Sequence, residues 1–293
     1  MRIAVVGGHG FIGRQVSAQL RRAGHEVLVI GRGEPLRGAD RVVHLALYNQ
    51  ADARAVVDGL RGRTARLVAI SSGDVYRAYG QLLGSEPYAR EAVPALDEAA
   101  PLRSQLYPYG QVAQGPTGEI RDYDKILVER VLRAAGPALP ATVLRLAKVY
   151  GPGDRQRTFW PWIERMRAGE PIVLGLQQSR WRFTHGYVEN VAAAITLATL
   201  ADAAAGQIYN VGEPVTPTVR ERVELLGRAV GWSGPIETVP DAELAAAAGA
   251  APVARRKACY APDLVLATDK IRSQLGYMEA VSMEQGLART IRA

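Results

Sequence analysis

The 293-residue chain is 48% hydrophobic and 22% charged, the balance of a globular protein and not of a disordered one. Its net charge of +7 comes from 36 basic and 29 acidic residues, yet only Lys125, Lys148, Lys257 and Lys270 are lysines and the arginines are dispersed. Dispersed arginine argues against a nucleic-acid footprint, and no apolar run approaches the roughly 18 residues of a membrane span.

Cys259 is the only cysteine, which excludes an intrachain disulfide and makes a reducing cytoplasm the expected location. The chain opens on a strand pattern in place of a cleavable signal, in keeping with that expectation. Four scattered histidines and one cysteine give no metal-ligand spacing, so no metal is expected.

Taken in chain order, Arg2–Val6 reads as a buried strand that runs into Gly7-Gly8-His9-Gly10-Phe11-Ile12-Gly13, and Phe11–Ala23 then has helical period. A glycine-only turn between strand and helix lets the backbone approach a pyrophosphate, whose charge meets the N–H groups and positive end of the helix. A second strand follows at Glu26–Ile30 and ends in Gly31-Arg32-Gly33. No carboxylate stands there to bind ribose hydroxyls or repel a 2′-phosphate, and Arg32 has the donor fork for that phosphate. The cofactor expected is NADP, with NAD second and His9 as a further contact.

Further strands are expected at Arg41–Leu45, Leu67–Ser71, Thr142–Leu146 and Gln207–Val211, and helices at Ala51–Leu60, Gly118–Ala135 and Val188–Ala201. Strands alternating with helices predict an α/β fold, a Rossmann-like doubly wound parallel sheet. Arg77–Thr117 carries several prolines and tyrosines with no clear period and reads as an irregular excursion over the strand ends. From about Gly151 the alternation weakens, which predicts a smaller C-terminal substrate domain. The expected division is 1–151 plus 187–212 for the nucleotide domain and 152–186 plus 213–293 for the substrate domain.

Several pieces together resemble the extended short-chain dehydrogenase/reductases, the NAD-dependent epimerase/dehydratase family. They are Gly7–Gly13, Asp40–Ala46, Ser71-Ser72-Gly73-Asp74-Val75-Tyr76, Lys125 with Glu129, and Arg145 followed by Val149-Tyr150-Gly151-Pro152-Gly153. Tyr187–Ala192, Tyr209-Asn210-Val211-Gly212 and Asp269-Lys270 with Leu275-Gly276-Tyr277 complete the series. The resemblance implies hydride chemistry on an alcohol or ketone, cofactor contacts from Leu45 and Ala46 as well as the glycine turn, and a homodimer through helices on the sheet face.

The chain departs from that family in two places. Only ten residues separate Ile30 from Arg41, where the family fits a further strand and helix, so one βα unit is expected to be missing. The family also places a tyrosine four residues before its active-site lysine; Arg121 stands there, and arginine stays protonated in proteins. Tyr123 belongs to the apolar stripe Ile120, Tyr123, Leu127, Val131, Ala134 and lies about 160° round a helix from Lys125, so it is expected in the core.

The resemblance gives Ser72 the substrate oxygen and Lys125 the nicotinamide ribose. Asp74 or a water is left to move the proton, with Arg121 beside Lys125 as a partner for an anion. Asp74→Asn is therefore expected to cost more turnover than Tyr123→Phe. Tyr107 and Tyr109 are candidates to swing a phenol toward the substrate, and Arg182 falls near the family's arginine for a sugar-nucleotide diphosphate. Thr158-Phe159-Trp160-Pro161-Trp162 reads as core or as a platform for a planar or glycosyl substrate, and His44 and His185 read as structural.

The function expected is an NADP(H)-dependent oxidoreductase or epimerase acting on a small molecule with a non-standard proton relay. A catalytically quiet NADP-binding sensor is the alternative, and an RNA-associated relative is the weaker one.

Overall fold

Alternation along the strands sets the layers. In β1 (Arg2–Val6), Ile3 and Val5 join one buried cluster while Ala4 and Val6 join another, as the two-residue period of a strand requires. The computed structural model describes residues 1–31, 34, 38–64, 66–87, 95–110, 121–247, 260 and 262–292. The strands are β2 (Glu26–Ile30), β3 (Arg41–His44), β4 (Arg66–Ser72), β5 (Ala141–Leu146), β6 (Lys148–Tyr150), β7 (Ile172–Gly175), β8 (His185–Tyr187), β9 (Ile208–Val211) and β10 (Ile236–Val239). The helices are α1 (Phe11–Arg22), α2 (Gln50–Leu60), α3 (Arg77–Leu83), α4 (Lys125–Ala134), α5 (Trp160–Arg167), α6 (Leu176–Arg180), α7 (Val188–Leu200), α8 (Val219–Val230), α9 (Asp241–Ala247), α10 (Asp269–Leu275) and α11 (Met283–Arg292).

Six strands form one parallel sheet in the order β2-β1-β3-β4-β5-β9. The chain is an α/β protein with a Rossmann-like sheet, and the six predicted strands match its members to within a residue. Val16 and Leu20 of α1 pack with Val191 and Ile195 of α7 on one face; Ala53 and Val57 of α2 pack with Val128 and Leu132 of α4 on the other. Among the described residues the sheet stops at β2, the edge where a further βα unit was expected to be missing. One expectation is corrected: Arg77–Thr117 is not irregular throughout, because α3 opens it, closed by Gly84 in the left-handed conformation.

Arginines stabilise the far end of the sheet. Arg41 donates to the carbonyls of Thr199 and Leu200, at 2.5 and 2.9 Å, and Arg66 to that of Ala201, so the C-terminal end of α7 is capped by cations. Asp202 joins both guanidinia, which hold its carboxyl below the usual range. Part of the positive charge is thus structural.

A third buried cluster lies past the strand ends, where Tyr150, Phe159, Ile163, Leu174, Tyr187, Val223 and Leu287 pack between α5, α8, α11 and the two-stranded sheets β10-β7 and β6-β8. Glu213 is buried there, held by Arg222 at 2.7 Å and by the Tyr150 hydroxyl at 2.8 Å. Phe11 and Ile12 touch this cluster from the start of α1, so the glycine turn lies between the two bodies of packing.

Candidate active site

The first part of the site is backbone. Gly7 sits at φ +80°, which a side chain would strain, and the Gly10 amide closes the turn onto the Gly7 carbonyl at 2.9 Å. A Cβ on Gly13 would lie 2.2 Å from the Gly7 oxygen and 2.6 Å from Gly8 Cα, so α1 can start this close only without one. Gly10 caps α1 with no side-chain hydrogen bond, and no acidic residue occupies the first turn. The leading N–H groups and the positive end of the helix are therefore available to an anion.

Leu45 and Ala46 follow β3 across the crevice, their Cβ atoms 3.4 and 3.9 Å from where a Gly7 Cβ would stand. His9 is exposed, its carbonyl accepting from Arg14 Nε at 2.9 Å. The glycine turn and these flanking residues fit the pyrophosphate and inner face of a dinucleotide. Arg32, the residue expected to choose between NADP and NAD, lies outside the described residues.

The second part is made of side chains. β4 ends at Ser72, whose Oγ accepts from the Asp74 amide at 3.2 Å and caps the short turn Gly73–Val75. That turn buries Asp74 to 6% exposure. Asp74 Oδ2 accepts from the Tyr123 hydroxyl at 2.7 Å and from the Tyr109 hydroxyl at 3.4 Å, and Tyr109 lies 3.0 Å from the Tyr79 hydroxyl. Asp74 Oδ1 is buried with no partner among the described residues.

Burial pushes the Asp74 carboxyl up, opposed by the Tyr123 hydrogen bond and by the charges of Arg103 and Lys125. Burial first, then the Asp74 charge, pushes both Tyr123 and Tyr109 well above the usual phenol value. The Lys125 ammonium donates to Ile70 O at 2.9 Å and to Leu47 O, and it lies 5.1 Å from the Tyr48 ring centroid and 5.7 Å from that of Tyr123. Its burial lowers the pKa to about 8, with Asp74 and Glu129 pulling the other way. Below it, Ser71 donates to Glu129 at 2.5 Å, and Glu129 pairs with Arg145 at 2.7 Å.

Tyr123 corrects the sequence reading. The stripe predicted a helix over Gly118–Ala135 with Tyr123 in the core; residues 118–120 lie outside the described ones, and 121–124 are not helical. Asp124, extended at φ −157° and ψ 108°, is the N-cap of α4 and accepts from the Ile126 amide at 2.8 Å. Its other oxygen takes the Tyr107 amide at 2.7 Å, and Arg103 approaches at 3.5 Å, so the cap is buried and anchored. With Asp124 extended, Tyr123 stands off the helix that begins at Lys125, and its phenol reaches Asp74 from there.

Arg121 is exposed in the turn at 121–122. Tyr107 is 46% exposed at φ 54°, and of the two loop tyrosines only Tyr109 reaches Asp74. Arg182 is exposed, and its amide donates to Asp263 at 2.9 Å. The sequence reading did not single out Tyr79, Tyr48, Arg103 or Asp124. For Asp124 a signal was present, an aspartate immediately before a helical run, which is a start signal. Tyr79 also lines a cleft of about 840 Å³ whose other walls include Lys148, Trp160, Trp162, Phe183 and Arg222.

Comparison with known proteins agrees with the fold and the glycine turn. Residues 3–62 and 98–212, more than half of the chain, match the model of the NAD dependent epimerase/dehydratase family. The chain is 30% identical over 267 residues to a dTDP-6-deoxy-L-talose 4-dehydrogenase (NAD(P)(+)) of Kitasatospora kifunensis, covering 82% of each. It is 30% identical over 264 residues to a 2-alkyl-3-oxoalkanoate reductase of Stenotrophomonas maltophilia, covering 79% of this chain and 76% of that one. The UDP-glucose 4-epimerase of Thermus thermophilus in complex with NAD superposes with a TM-score of 0.67 at 22% identity, over 100% of this chain and 98% of that one.

Proposed function

The chain belongs to the NAD dependent epimerase/dehydratase family and is a nicotinamide-dependent enzyme of the extended short-chain dehydrogenase/reductase type, and from that premise we propose that it uses NADP(H) to oxidise or reduce a small carbinol or carbonyl compound through an aspartate–tyrosine proton relay. The observation that carries this reading is the 2.7 Å hydrogen bond from the Tyr123 hydroxyl to Asp74, formed beside the buried Lys125.

The nicotinamide, when bound, supplies or accepts the hydride. The glycine turn Gly7–Gly13, with Leu45 and Ala46, holds the dinucleotide; Gly31-Arg32-Gly33 favours a 2′-phosphate, since Arg32 is a cation and no carboxylate is adjacent in sequence. Lys125 keeps an ammonium against the ribose side of the crevice and steadies the Tyr123 phenol electrostatically. Ser72 orients the substrate oxygen. The proton passes between that oxygen and the Tyr123–Asp74 pair, in which Asp74 Oδ2 accepts from the phenol and Oδ1 has no partner among the described residues. A carboxyl raised by burial can hold that proton at higher pH than a solvated aspartate can. The cleft that would take the substrate is lined by residues of 155–185 and 217–222 together with Tyr79, Leu82, Leu83 and Lys148.

Two measurements test this. Fluorescence titration should give tight NADPH binding, weaker NADH binding, and loss of the difference in Arg32→Ala. On a carbonyl panel, Asp74→Asn and Tyr123→Phe should each lower kcat by roughly 10²–10⁴ with the fold retained. Comparable losses identify the pair as the relay; a loss confined to Asp74→Asn removes Tyr123 from it. NADPH binding with no turnover on any carbonyl would favour a binding module instead.

A further inference from the structure

The cleft beside Tyr79 has unlike walls. Trp160, Trp162 and Phe183 are among the aromatic residues that line it, and the pair β6-β8 contributes Lys148 and His185, which stand in register. Two of the cations lining it are already neutralised. Arg222 is held at both nitrogens by Glu213, at 2.7 and 3.3 Å, and Arg157 pairs with Glu164 while lying 5.0 Å from the Trp160 ring centroid. Lys148 is different. It is half-buried, its Nζ donates to the neutral amide oxygen of Gln156, and among the described residues no carboxylate forms an ion pair with it. Burial disfavours its charged form and the nearby Asp154 offsets this only in part. An ammonium withdrawn from water and satisfied by an amide is stabilised when an anion arrives.

We infer that the cleft takes a small carboxylate with an alkyl or aromatic body, its carboxylate on Lys148 and its body along Trp160 and Trp162, so that Lys148 sets substrate specificity. This rests on the reading of the cleft as the substrate site. The charge count separates this occupant from a nucleoside diphosphate. A diphosphate brings at least two negative charges to one half-buried ammonium and the exposed Arg155 at the rim, with Asp154 close to the ammonium. A carboxylate asks for one cation, and the aromatic wall rewards its apolar remainder.

The tryptophans of the cleft report on its occupant. The purified full chain is titrated with hexanoate, octanoate, 3-phenylpropanoate, the amides of the same acids, and UDP, while tryptophan emission is followed. The acids should quench saturably, with octanoate gaining roughly tenfold over hexanoate from two more buried methylenes. The amides should bind at least about tenfold more weakly than the acids. Lys148→Met should remove the acid–amide difference and Lys148→Arg should keep it, with melting temperature and NADPH titration checking that each variant is folded. Equal binding of acid and amide by the unsubstituted protein, unchanged acid affinity in Lys148→Met, or UDP binding more tightly than both longer acids would each overturn the inference. NADPH binding without acid binding overturns this inference and leaves the enzyme reading standing; acid binding without nucleotide binding leaves the carboxylate site standing and overturns the enzyme reading, and with it the role of Lys148 in substrate specificity.

Discussion

The glycine turn after β1 and the acid–phenol pair after β4 both stand at the carboxyl ends of one parallel sheet, yet they are specified in different ways. The turn is built from backbone, and its requirement is local: Gly13 must lack a Cβ because the Gly7 carbonyl is already there. The pair joins residues 49 apart in the chain, and it exists only because α4 starts at Lys125 and no earlier. A site made of backbone is written in adjacent residues, whereas one made of side chains depends on where an element begins.

Gly13→Ala is the sharpest way to break the first region. The methyl would meet backbone atoms 2.2 and 2.6 Å away, and no flexible side chain there can yield. A loss of about 3 kcal/mol or more in stability is expected, with NADPH binding abolished in whatever folds. Denaturant unfolding and a nucleotide titration measure both, and an unaltered affinity would mean that the turn does not position the dinucleotide.

This contrast explains what was legible in the sequence. Strand-glycine-helix order gave the nucleotide crevice, and buried β-branched runs gave the sheet, because both signals sit within a dozen consecutive residues. The short gap between Ile30 and Arg41 likewise led to the expectation of a missing unit, and among the described residues β2 is the edge strand there. The acid–phenol pair was half legible. Asp74 followed from its place after β4, but an unbroken apolar stripe put Tyr123 into a helix, and the capping signal of Asp124 was outweighed by that period. Tyr109 was a candidate from its loop but meets Asp74 only through tertiary packing, and Tyr79 joins through the Tyr109 hydroxyl, which no spacing records.

The second region contains a lysine whose titration burial has shifted, and pH singles it out. Lys125 holds a pKa of about 8 when folded and near 10.5 when unfolded. Between those values the unfolded chain binds the proton that the folded chain has released, so unfolding free energy rises with pH across the interval, by at most about 3 kcal/mol. Below pH 8 the contribution is flat. Lys125→Met should lack this rise, and subtracting its stability–pH curve from that of the unsubstituted protein isolates the lysine. A flat difference would mean that the ammonium is better solvated than its two carbonyl partners suggest.

A smaller effect sharpens the pair itself. If Tyr123 and Asp74 act together, Tyr123→Phe should cost roughly ten- to a hundredfold less turnover once Asp74→Asn is present, a coupling of about 1–3 kcal/mol in a double-mutant cycle. Tyr109→Phe, whose hydroxyl stands at 3.4 Å against 2.7 Å for Tyr123, should couple more weakly to Asp74 in the same cycle. Stronger coupling for Tyr109 than for Tyr123 would put the proton on the Tyr79–Tyr109 side.

The smallest expected effect tests the rule drawn from the glycine turn. Gly59 is exposed near the end of α2, and a Cβ built on it meets nothing within 4 Å. Without a turn, a positive φ or a close neighbour to require it, this glycine only adds freedom to the unfolded chain and weakens the helix. Gly59→Ala should therefore stabilise by roughly 0.5–1 kcal/mol, raising the urea midpoint with an unchanged slope and leaving NADPH affinity as it was. The same substitution thus has opposite signs at Gly13 and Gly59, because in one place backbone fills the methyl's position and in the other nothing does. A destabilised Gly59→Ala would show that lacking a Cβ matters on α2 for a reason other than room.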